Sequence, residues 1–427
     1  MSNRRKVTFA CEELNQNRNV FEGTIDRRSF FQNMRGDLLI AGENAGDQNL
    51  ILSLINSCVE KADMPTILLS GHLELFEELQ RCRSRGEIAN VRIAGPSEKS
   101  YHPLLGMSKQ QIQRMVSLTA QEIGIGVAIE KVIIYTEALL DIIAVKYPLS
   151  LPAMTEILRE EDHVISELAL QYGLSGAVAD NIRGNHEAGK ILRKICAQLE
   201  EIFKNVSAPG NDTLCNLPNG IKENISLFAF YTISGNNRIL NAYLKEEIYN
   251  CLELGMRFRV LLDEMTFEAE RDELLQYLLQ EKHTGRIELI FLAQNPVKAL
   301  KNSGDMSFAN IVMFSQSTPA ATEELSDRLF GKYQYYFPVP TEGTPPHLLF
   351  TFQRTVTWQI HSEPRLRVRS QDLHVFPFRL ATQVTYVALK TMEGDAVYLV
   401  HADEFMQNKA GSQKAMDIHG GEMRDET

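Results

Sequence analysis

Residues 42–49 have the spacing of a phosphate-binding loop but lack the side chains that give such a loop its chemistry. The working pattern is a glycine, four residues and then Gly-Lys-Ser/Thr, set between a buried strand and a helix. Here Gly42 holds the first position, whereas Asp47, Gln48 and Asn49 stand at the last three. Backbone N–H groups and a lysine normally bind the anionic oxygens. The changes therefore remove a cation and add a carboxylate.

This loop predicts weak triphosphate binding. Two like charges 4 Å apart repel by about 4 kcal/mol at an intermediate dielectric constant, and the polar Gln48 side chain carries no compensating charge. The alternative is a plain strand–helix turn without a ligand, which the loop alone favours. We name five candidate nucleotide-contacting residues of a degenerate loop, and we expect no cofactor unless ATP and Mg²⁺ still bind there. The candidates are Gly42, Gly46, Asp47, Gln48 and Asn49.

Two carboxylates follow an apolar strand far downstream. Asp263 and Glu264 come directly after the run 260–262, and Gln294 follows a second apolar run at 287–293. In a nucleotide hydrolase the first acid holds magnesium, the second polarises the attacking water, and a polar strand end senses the γ-phosphate. We therefore name these three side chains as the catalytic residues of the protein if it is active. The alternative is that the acids only stabilise the start of the next helix.

The composition is typical of an ordinary globular protein in water. The chain has 427 residues and a net charge of −11, which argues against coating of nucleic acid by the whole surface. Its six cysteines are scattered, which excludes a disulfide framework and fits a reducing cytosol. The sequence contains no signal peptide and no apolar run of about 18 residues. We therefore expect a cytoplasmic protein without a transmembrane segment and without a metal site.

Strands alternate with helices before residue 106, which predicts a parallel sheet. The pattern indicates strands at 38–41, 66–70 and 90–94, with helices at 49–61 and 73–83. Residues 108–204 then show helical patterns only. Ser108 and Gln111 form a predicted capping box at the start of this block. Breaks are expected at 147–152 and 173–176, before one long helix at 177–205 and a loop at 206–220.

The alternation resumes after the loop. We expect strands at 226–233, 257–262, 287–293 and 311–314, with helices at 238–254, 268–282 and 320–330. An all-β tail follows, with strands at 348–360, 381–389 and 396–400, and a hairpin around Gly394. These patterns predict a discontinuous nucleotide-binding-type domain at 1–106 and 206–405, an inserted all-α domain at 107–205 and a disordered tail at 406–427.

The order of these parts resembles the conjugative coupling-protein ATPases of type IV secretion systems, within the ring-forming, RecA-like DNA translocases. That family runs from a phosphate loop to an inserted all-α domain, then to a strand ending in Asp-Glu and a strand ending in Gln. The matching segments here are 42–49, 108–204, 261–264 and 291–294, with weaker matches at 101–104 and 320–331. The resemblance implies an α/β fold: a RecA-like P-loop NTPase sheet with an inserted all-α domain and a β-rich C-terminal extension.

The departures from the family pattern concern its motor chemistry. The phosphate loop is altered, the segment 282–286 offers no assignable trans arginine, and we expect no membrane anchor of the kind that many members carry. The leading hypothesis is therefore an inactive ATPase that binds cargo or partner proteins of a conjugation or secretion machine. DNA and a homo-hexameric ring are further candidate partners, and a place beside an inner-membrane complex is a candidate location.

Two other classes of function stay open. One is an active ATP-driven translocase using Asp263 and Glu264, and the other is a protein-binding adaptor that touches neither nucleotide nor DNA. The alternating Arg365, Arg367 and Arg369 are expected to share one solvated strand face, although a phosphate or subunit contact is the alternative. We expect Trp358 to lie in the core.

Overall fold

The computed structural model describes fourteen segments of the chain, which are residues 3–23, 25–61, 63–88, 91–94, 103–122, 128–203, 216–222, 225–231, 237–263, 273–300, 307–343, 355–373, 386–392 and 394–406. Its contacts divide the chain into two compact units. The first unit contains Met1–Leu50, Gln294–Val297 and Gly304–Thr427, and the second contains Ile51–Ala293 and Lys298–Ser303.

The helices, in chain order, are α1 (Asn3–Asn15), α2 (Arg27–Asn33), α3 (Gln48–Lys61), α4 (Leu73–Ser84), α5 (Lys109–Glu122), α6 (Ile129–Lys146), α7 (Leu151–Leu158), α8 (Asp162–Gln171), α9 (Gly176–Gly184), α10 (His186–Ile202), α11 (Leu217–Lys222), α12 (Asn237–Glu253), α13 (Glu273–Lys282), α14 (Pro296–Ala299), α15 (Pro319–Phe330), α16 (Ser370–Leu373) and α17 (Ala402–Met406). The strands are β1 (Val20–Glu22), β2 (Leu38–Ala41), β3 (Thr66–Ser70), β4 (Val91–Ala94), β5 (Leu227–Tyr231), β6 (Phe258–Asp263), β7 (Ile287–Ala293), β8 (Asn310–Met313), β9 (Lys332–Gly343), β10 (Thr355–Leu366), β11 (Tyr386–Lys390) and β12 (Val397–His401).

Five strands of the first unit lie side by side in the order β1-β12-β11-β8-β2. β2 runs parallel to β8, with Ile40 opposite Val312. β11 runs antiparallel to both β8 and β12, so the predicted hairpin around Gly394 is confirmed. All four residues of β2 are buried, as expected for a strand covered on both faces.

The second unit contains a parallel set of five strands in the order β7-β6-β3-β5-β4. α4 connects β3 to β4, α12 connects β5 to β6, and α13 connects β6 to β7. Every residue of β6 is buried. This is expected because the helices that connect parallel strands cover both faces of the sheet. The predicted parallel α/β architecture is thereby confirmed.

The predicted helical block occurs as α5–α10 within the second unit. Its capping box is present: Ser108 N donates to Gln111 Oε1 at 2.7 Å, and Gln111 N donates to Ser108 Oγ at 3.3 Å. α5 and α10 both contact α12. The boundary of a separate all-α domain at 107–205 stays a prediction.

Two local predictions in this region are wrong. The segment 177–205 contains two helices rather than one, because Asn185 leaves helical geometry with φ −124° and ψ 37° directly after Gly184. The Asn185 side chain donates to Asn181 O at 2.8 Å and satisfies a carbonyl at the end of α9. The loop predicted to extend to residue 220 ends earlier, because α11 begins at Leu217. Pro218 suits the first turn of that helix.

A two-stranded antiparallel ribbon formed by β9 and β10 was not predicted in full. Lys332 lies opposite Leu366, and Gly343 lies opposite Thr355 at the other end. The prolines of β9 argue against a central strand, but both strands of a ribbon are edge strands. The N-terminal elements α1, β1 and α2 were not predicted either.

The arginines at 365, 367 and 369 do not share a strand face, because β10 ends at Leu366. Each has a partner in the first unit: Arg365 lies over the Tyr335 ring, Arg367 pairs with Asp395, and Arg369 pairs with Asp372. Trp358, expected in the core, is only partly buried. Among the described segments, no helix is long and apolar enough to cross a membrane. The predicted disordered tail beyond Met406 lies outside the described residues.

Candidate functional site

Gly42 is required by the backbone around it. Its φ is +110°, and a Cβ atom there would lie 2.6 Å from the carbonyl oxygen of Phe314. This close approach arises directly after β8, where Phe314 N donates to Ala41 O at 2.8 Å. The glycine that suggested a phosphate loop therefore has a structural role within the first unit.

The backbone of the loop donates hydrogen bonds to the protein itself. In a working phosphate loop, successive N–H groups point at the anion. Three of the N–H groups in this loop are directed at carbonyl oxygens instead, so in this conformation they are not available to a phosphate. Glu43 N donates to Ser315 O at 3.0 Å, Ala45 N to Gly42 O at 3.0 Å and Asp47 N to Asn44 O at 3.1 Å.

Asp47 occupies the position at the start of α3 where an anion would bind. Its Oδ1 accepts a hydrogen bond from Leu50 N at 2.9 Å. An aspartate at this position stabilises a helix by about 1 kcal/mol, and its charge interacts favourably with the helix dipole. The side chain at the lysine position, Gln48, is partly exposed, as is Gly46, and Asn49 is exposed. Nucleotide contact by these residues stays a prediction.

Arg27 supplies a cation to this region. It is only 2% exposed, and its Nη1 donates to Met406 O at 3.0 Å. Burial lowers the pKa of Arg27 below its ordinary value, whereas the carboxylates of Asp47 and Asp26 oppose that lowering. The negative charge of Asp47 is therefore balanced in part by a buried guanidinium of the same unit.

Asp263 lies at the carboxyl end of β6 in the second unit, and the end of β3 engages its carboxylate. Ser70 Oγ donates to Asp263 Oδ2 at 3.1 Å, and His72 Nε2 lies 2.9 Å from the same oxygen. The close contact with the Asp263 carboxylate raises the pKa of His72 above its ordinary value, against the effect of partial burial. An imidazolium here stabilises the negative charge of a side chain that is only 2% exposed.

This cluster lies where an open α/β sheet usually binds a ligand. β3 and β6 are parallel neighbours, and the connection after β3 leads towards β4, whereas the connection after β6 leads to β7 on the other side. Such a change of direction opens a crevice at the carboxyl ends of the two strands. Ser70, His72 and Asp263 all lie at that end of their strands.

Glu264 lies outside the described residues. Gln294 follows β7 with an exposed side chain. Its backbone carbonyl oxygen accepts a hydrogen bond from Gln316 Nε2 at 2.7 Å. The loop at residues 42–49 belongs to the first unit, and Asp263 belongs to the second. Over the described ranges, no cluster of three or more His, Cys, Asp or Glu side chains is placed to hold a metal ion.

Sequence reasoning missed Arg27, Ser70 and His72. Ser70 is the last residue of the strand predicted at 66–70, and His72 lies two residues further on, so their position at a strand end was a usable signal. Arg27 had no such signal, because its partner Met406 lies 379 positions away in the sequence.

Comparison with known proteins bears on the fold. No known family description and no curated protein matches this sequence. The bacterial conjugative coupling protein TrwBdeltaN70, in an unbound monoclinic form, superposes with a TM-score of 0.52 at 11% identity, over 86% of this chain and 84% of that chain. VirB4 of Thermoanaerobacter pseudethanolicus gives a TM-score of 0.40 at 13% identity, over 70% of this chain and 83% of its own. The resemblance to conjugative coupling proteins that the order of motifs indicated is therefore confirmed at the level of the fold.

Proposed function

We propose that this chain is a catalytically impaired, coupling-protein-like component of a conjugative DNA-transfer or type IV secretion machine, where it binds cargo or partner proteins. The observation that carries the proposal is Asp47, whose carboxylate accepts the Leu50 N–H at the start of α3. A nucleotide phosphate would need that same N-terminal end. The likeness in fold to a conjugative coupling protein supports the choice of machine.

A second observation supports loss of activity. Magnesium held by a strand-end aspartate needs a free carboxylate oxygen, directly or through water. Both Ser70 and His72 contact Oδ2 of Asp263, so at that oxygen a metal would have to compete with a histidine whose raised pKa favours its cationic form.

The same proposal includes the expected setting. It places the chain in the cytoplasm beside an inner-membrane complex, in contact with secretion or conjugation proteins. A homo-oligomeric ring and DNA are the further partners that the coupling-protein resemblance implies. The active alternative is a translocase in which Asp263 and Glu264 serve catalysis after His72 moves away.

Turnover and binding measurements test the impairment directly. We expect no ATP hydrolysis with Mg²⁺ above that of a Glu264→Gln variant, and no heat of ATP binding in calorimetry. Robust hydrolysis that disappears in Glu264→Gln would establish the active motor instead. Pull-downs with and without DNA separate the proposed machine component from an adaptor that binds proteins only.

Restoring the loop chemistry gives a sharper test. Asp47→Gly with Gln48→Lys and Asn49→Thr removes a carboxylate and adds an ammonium, so we expect ATP affinity to rise by roughly two decades. The loss of the Asp47 cap costs about 1 kcal/mol of helix stability, which thermal unfolding would register. An unchanged affinity in a folded triple variant would show that the backbone conformation, rather than the side chains, prevents binding.

A further inference from the structure

α1 is fixed along the β9–β10 ribbon of the first unit at both of its ends. Asn15 Nδ2 donates to Tyr336 O at 2.9 Å, and Tyr336 N donates to Asn15 Oδ1 at 2.7 Å. Near the other end, the Arg4 guanidinium lies 4.8 Å from the centre of the Trp358 ring. These contacts place the first turn of α1 beside Trp358.

This first turn is strongly basic. Arg4, Arg5 and Lys6 follow one another and are all exposed, and the turn contains no acidic residue. Arg5 and Lys6 make no ion pair with any residue in the described part of the chain. Cations at the start of a helix interact unfavourably with its dipole, so this cluster does not contribute to the stability of α1.

Apolar side chains lie next to the basic turn. Val356 and Ile360 are 48% and 44% exposed. Each is two residues from Trp358 on β10, so all three side chains lie on one face of the strand. Neighbouring members of the set are spaced roughly 7 Å apart along the strand. We call the set of Arg4, Arg5, Lys6, Val356, Trp358 and Ile360 the α1–β10 surface.

We propose that the α1–β10 surface binds the surface of an anionic lipid bilayer. Lysine and arginine side chains attract acidic headgroups, and adjacent aromatic and aliphatic side chains enter the boundary between headgroups and acyl chains. The phosphates of a nucleic acid would satisfy the cations but leave Val356 and Ile360 without a partner. The net charge of −11 repels an anionic bilayer elsewhere, so this local surface sets the orientation. The inference is independent of nucleotide binding.

Vesicle binding of the full chain tests the proposal. The probes are vesicles of phosphatidylcholine alone and vesicles in which about a third of the lipid is phosphatidylglycerol. We expect co-sedimentation with the second kind only, and weaker binding at high salt. Trp358 is the single tryptophan of the chain, so quenching of its fluorescence by brominated acyl chains reports contact at this surface.

Matched variants separate the two contributions. Arg5→Gln with Lys6→Gln is expected to reduce the partition coefficient roughly 25-fold, since each basic residue near an anionic surface contributes about fivefold. Val356→Ser with Ile360→Ser is expected to weaken binding and abolish quenching at unchanged charge. Arg159→Gln with Lys194→Gln changes the charge equally at two exposed positions elsewhere and is expected to bind like the wild type. Circular dichroism checks that each variant is folded.

Three results would overturn the proposal. They are failure of the wild type to bind anionic vesicles at low salt, equal losses in the Arg5/Lys6 and Arg159/Lys194 variants, and binding without quenching of Trp358. Binding of a single-stranded oligonucleotide that depends on Arg5 and Lys6, in the absence of vesicle binding, would assign the surface to nucleic acid instead.

Discussion

At the scale of single residues, a carboxylate does at the start of α3 what a bound phosphate does in a working loop. Asp47 accepts the Leu50 N–H and interacts with the buried Arg27. The positive end of α3 and the negative charge of Asp47 are therefore each balanced in part by groups of the protein itself. Gly42 is likewise explained without a ligand, because the Phe314 carbonyl oxygen leaves no room for a Cβ atom at position 42.

Replacing Gly42 should therefore lower the unfolding free energy more than replacing another glycine at positive φ. Gly42→Ala is expected to destabilise the protein by about 2 kcal/mol or more, because a left-handed backbone penalty of about 1 kcal/mol adds to a steric clash. Gly86→Ala is the matched control, since Gly86 has φ +72° and no atom within 4 Å of its Cβ position. Equal losses of unfolding free energy in urea would contradict this role of Gly42.

The His72–Asp263 contact predicts a pH dependence of stability. A histidine whose pKa is raised on folding contributes stability below its unfolded pKa, and the contribution is lost as pH rises through the folded pKa. We therefore expect the wild type to exceed His72→Gln in unfolding free energy by more at about pH 6 than at about pH 8.5. The control is an Asp263→Asn background, which removes the carboxylate beside His72 and in which His72→Gln should show no such difference. A pH-independent gap for His72→Gln would mean that the imidazole contributes by packing alone.

At the scale of elements, β6 and β7 carry a buried ion pair. Arg259 lies opposite Glu288 in the strand register, is 1% exposed, and places Nη2 2.8 Å and Nε 3.0 Å from Oε2. Asp63 lies farther from the guanidinium, at 3.4 Å. Because the attraction between the two charges offsets the cost of removing each from water, this pair should respond differently to single and double substitution.

Removing Arg259 alone should be strongly destabilising. Arg259→Met is expected to lower the unfolding free energy by about 3 kcal/mol, because the Glu288 side chain, which is only 17% exposed, then loses the guanidinium that offsets its charge. Arg259→Met with Glu288→Met should recover most of that loss. Arg328→Met is the control, since its exposed pair with Glu324 contributes at most about 0.5 kcal/mol. A double variant no more stable than the single one would show that Asp63 or packing, rather than Glu288, determines the cost.

At the scale of the whole molecule, the helices α5–α10 are attached to the second unit by specific side chains. Phe203, after α10, packs edge-on against Phe230 and Tyr243 at ring distances of 6.4 and 5.5 Å. Arg114 on α5 lies 2.7 Å from Glu246 on α12, and the Glu246 side chain is only 5% exposed. These contacts link the helical block to β5 and α12.

Deleting the block tests whether it is a separable domain. Loop closure depends only weakly on length, so a Gly/Ser linker in place of 107–205 adds little entropic cost. The deletion nevertheless exposes Phe230 and Tyr243 and leaves Glu246 without Arg114. We expect a lower melting temperature by circular dichroism, partly recovered by Glu246→Gln. Unchanged melting together with lost partner binding would favour an independent cargo-facing domain.

The limits of buried strands were predictable from local sequence. β3 and β7 have the predicted bounds of 66–70 and 287–293, because a strand buried on both faces needs a mainly apolar core of residues, which local sequence shows. The helical block was predictable for a similar reason, since its apolar periodicity and the Ser108 capping box are local patterns. The break at Asn185 was not, because an isolated Gly-Asn pair is tolerated within many helices.

By itself, the sequence determined the charge at the start of α3, the acid at the end of β6 and the alternation that produces parallel strands, since each depends on neighbouring residues only. The tertiary structure decided what those groups contact. Ser70 and Asp263 are 193 positions apart and meet only because β3 and β6 are neighbours, and the glycine at position 42 is explained by a carbonyl group of the segment after β8. Contacts between distant segments depend on strand order, which local patterns of hydrophobicity do not encode.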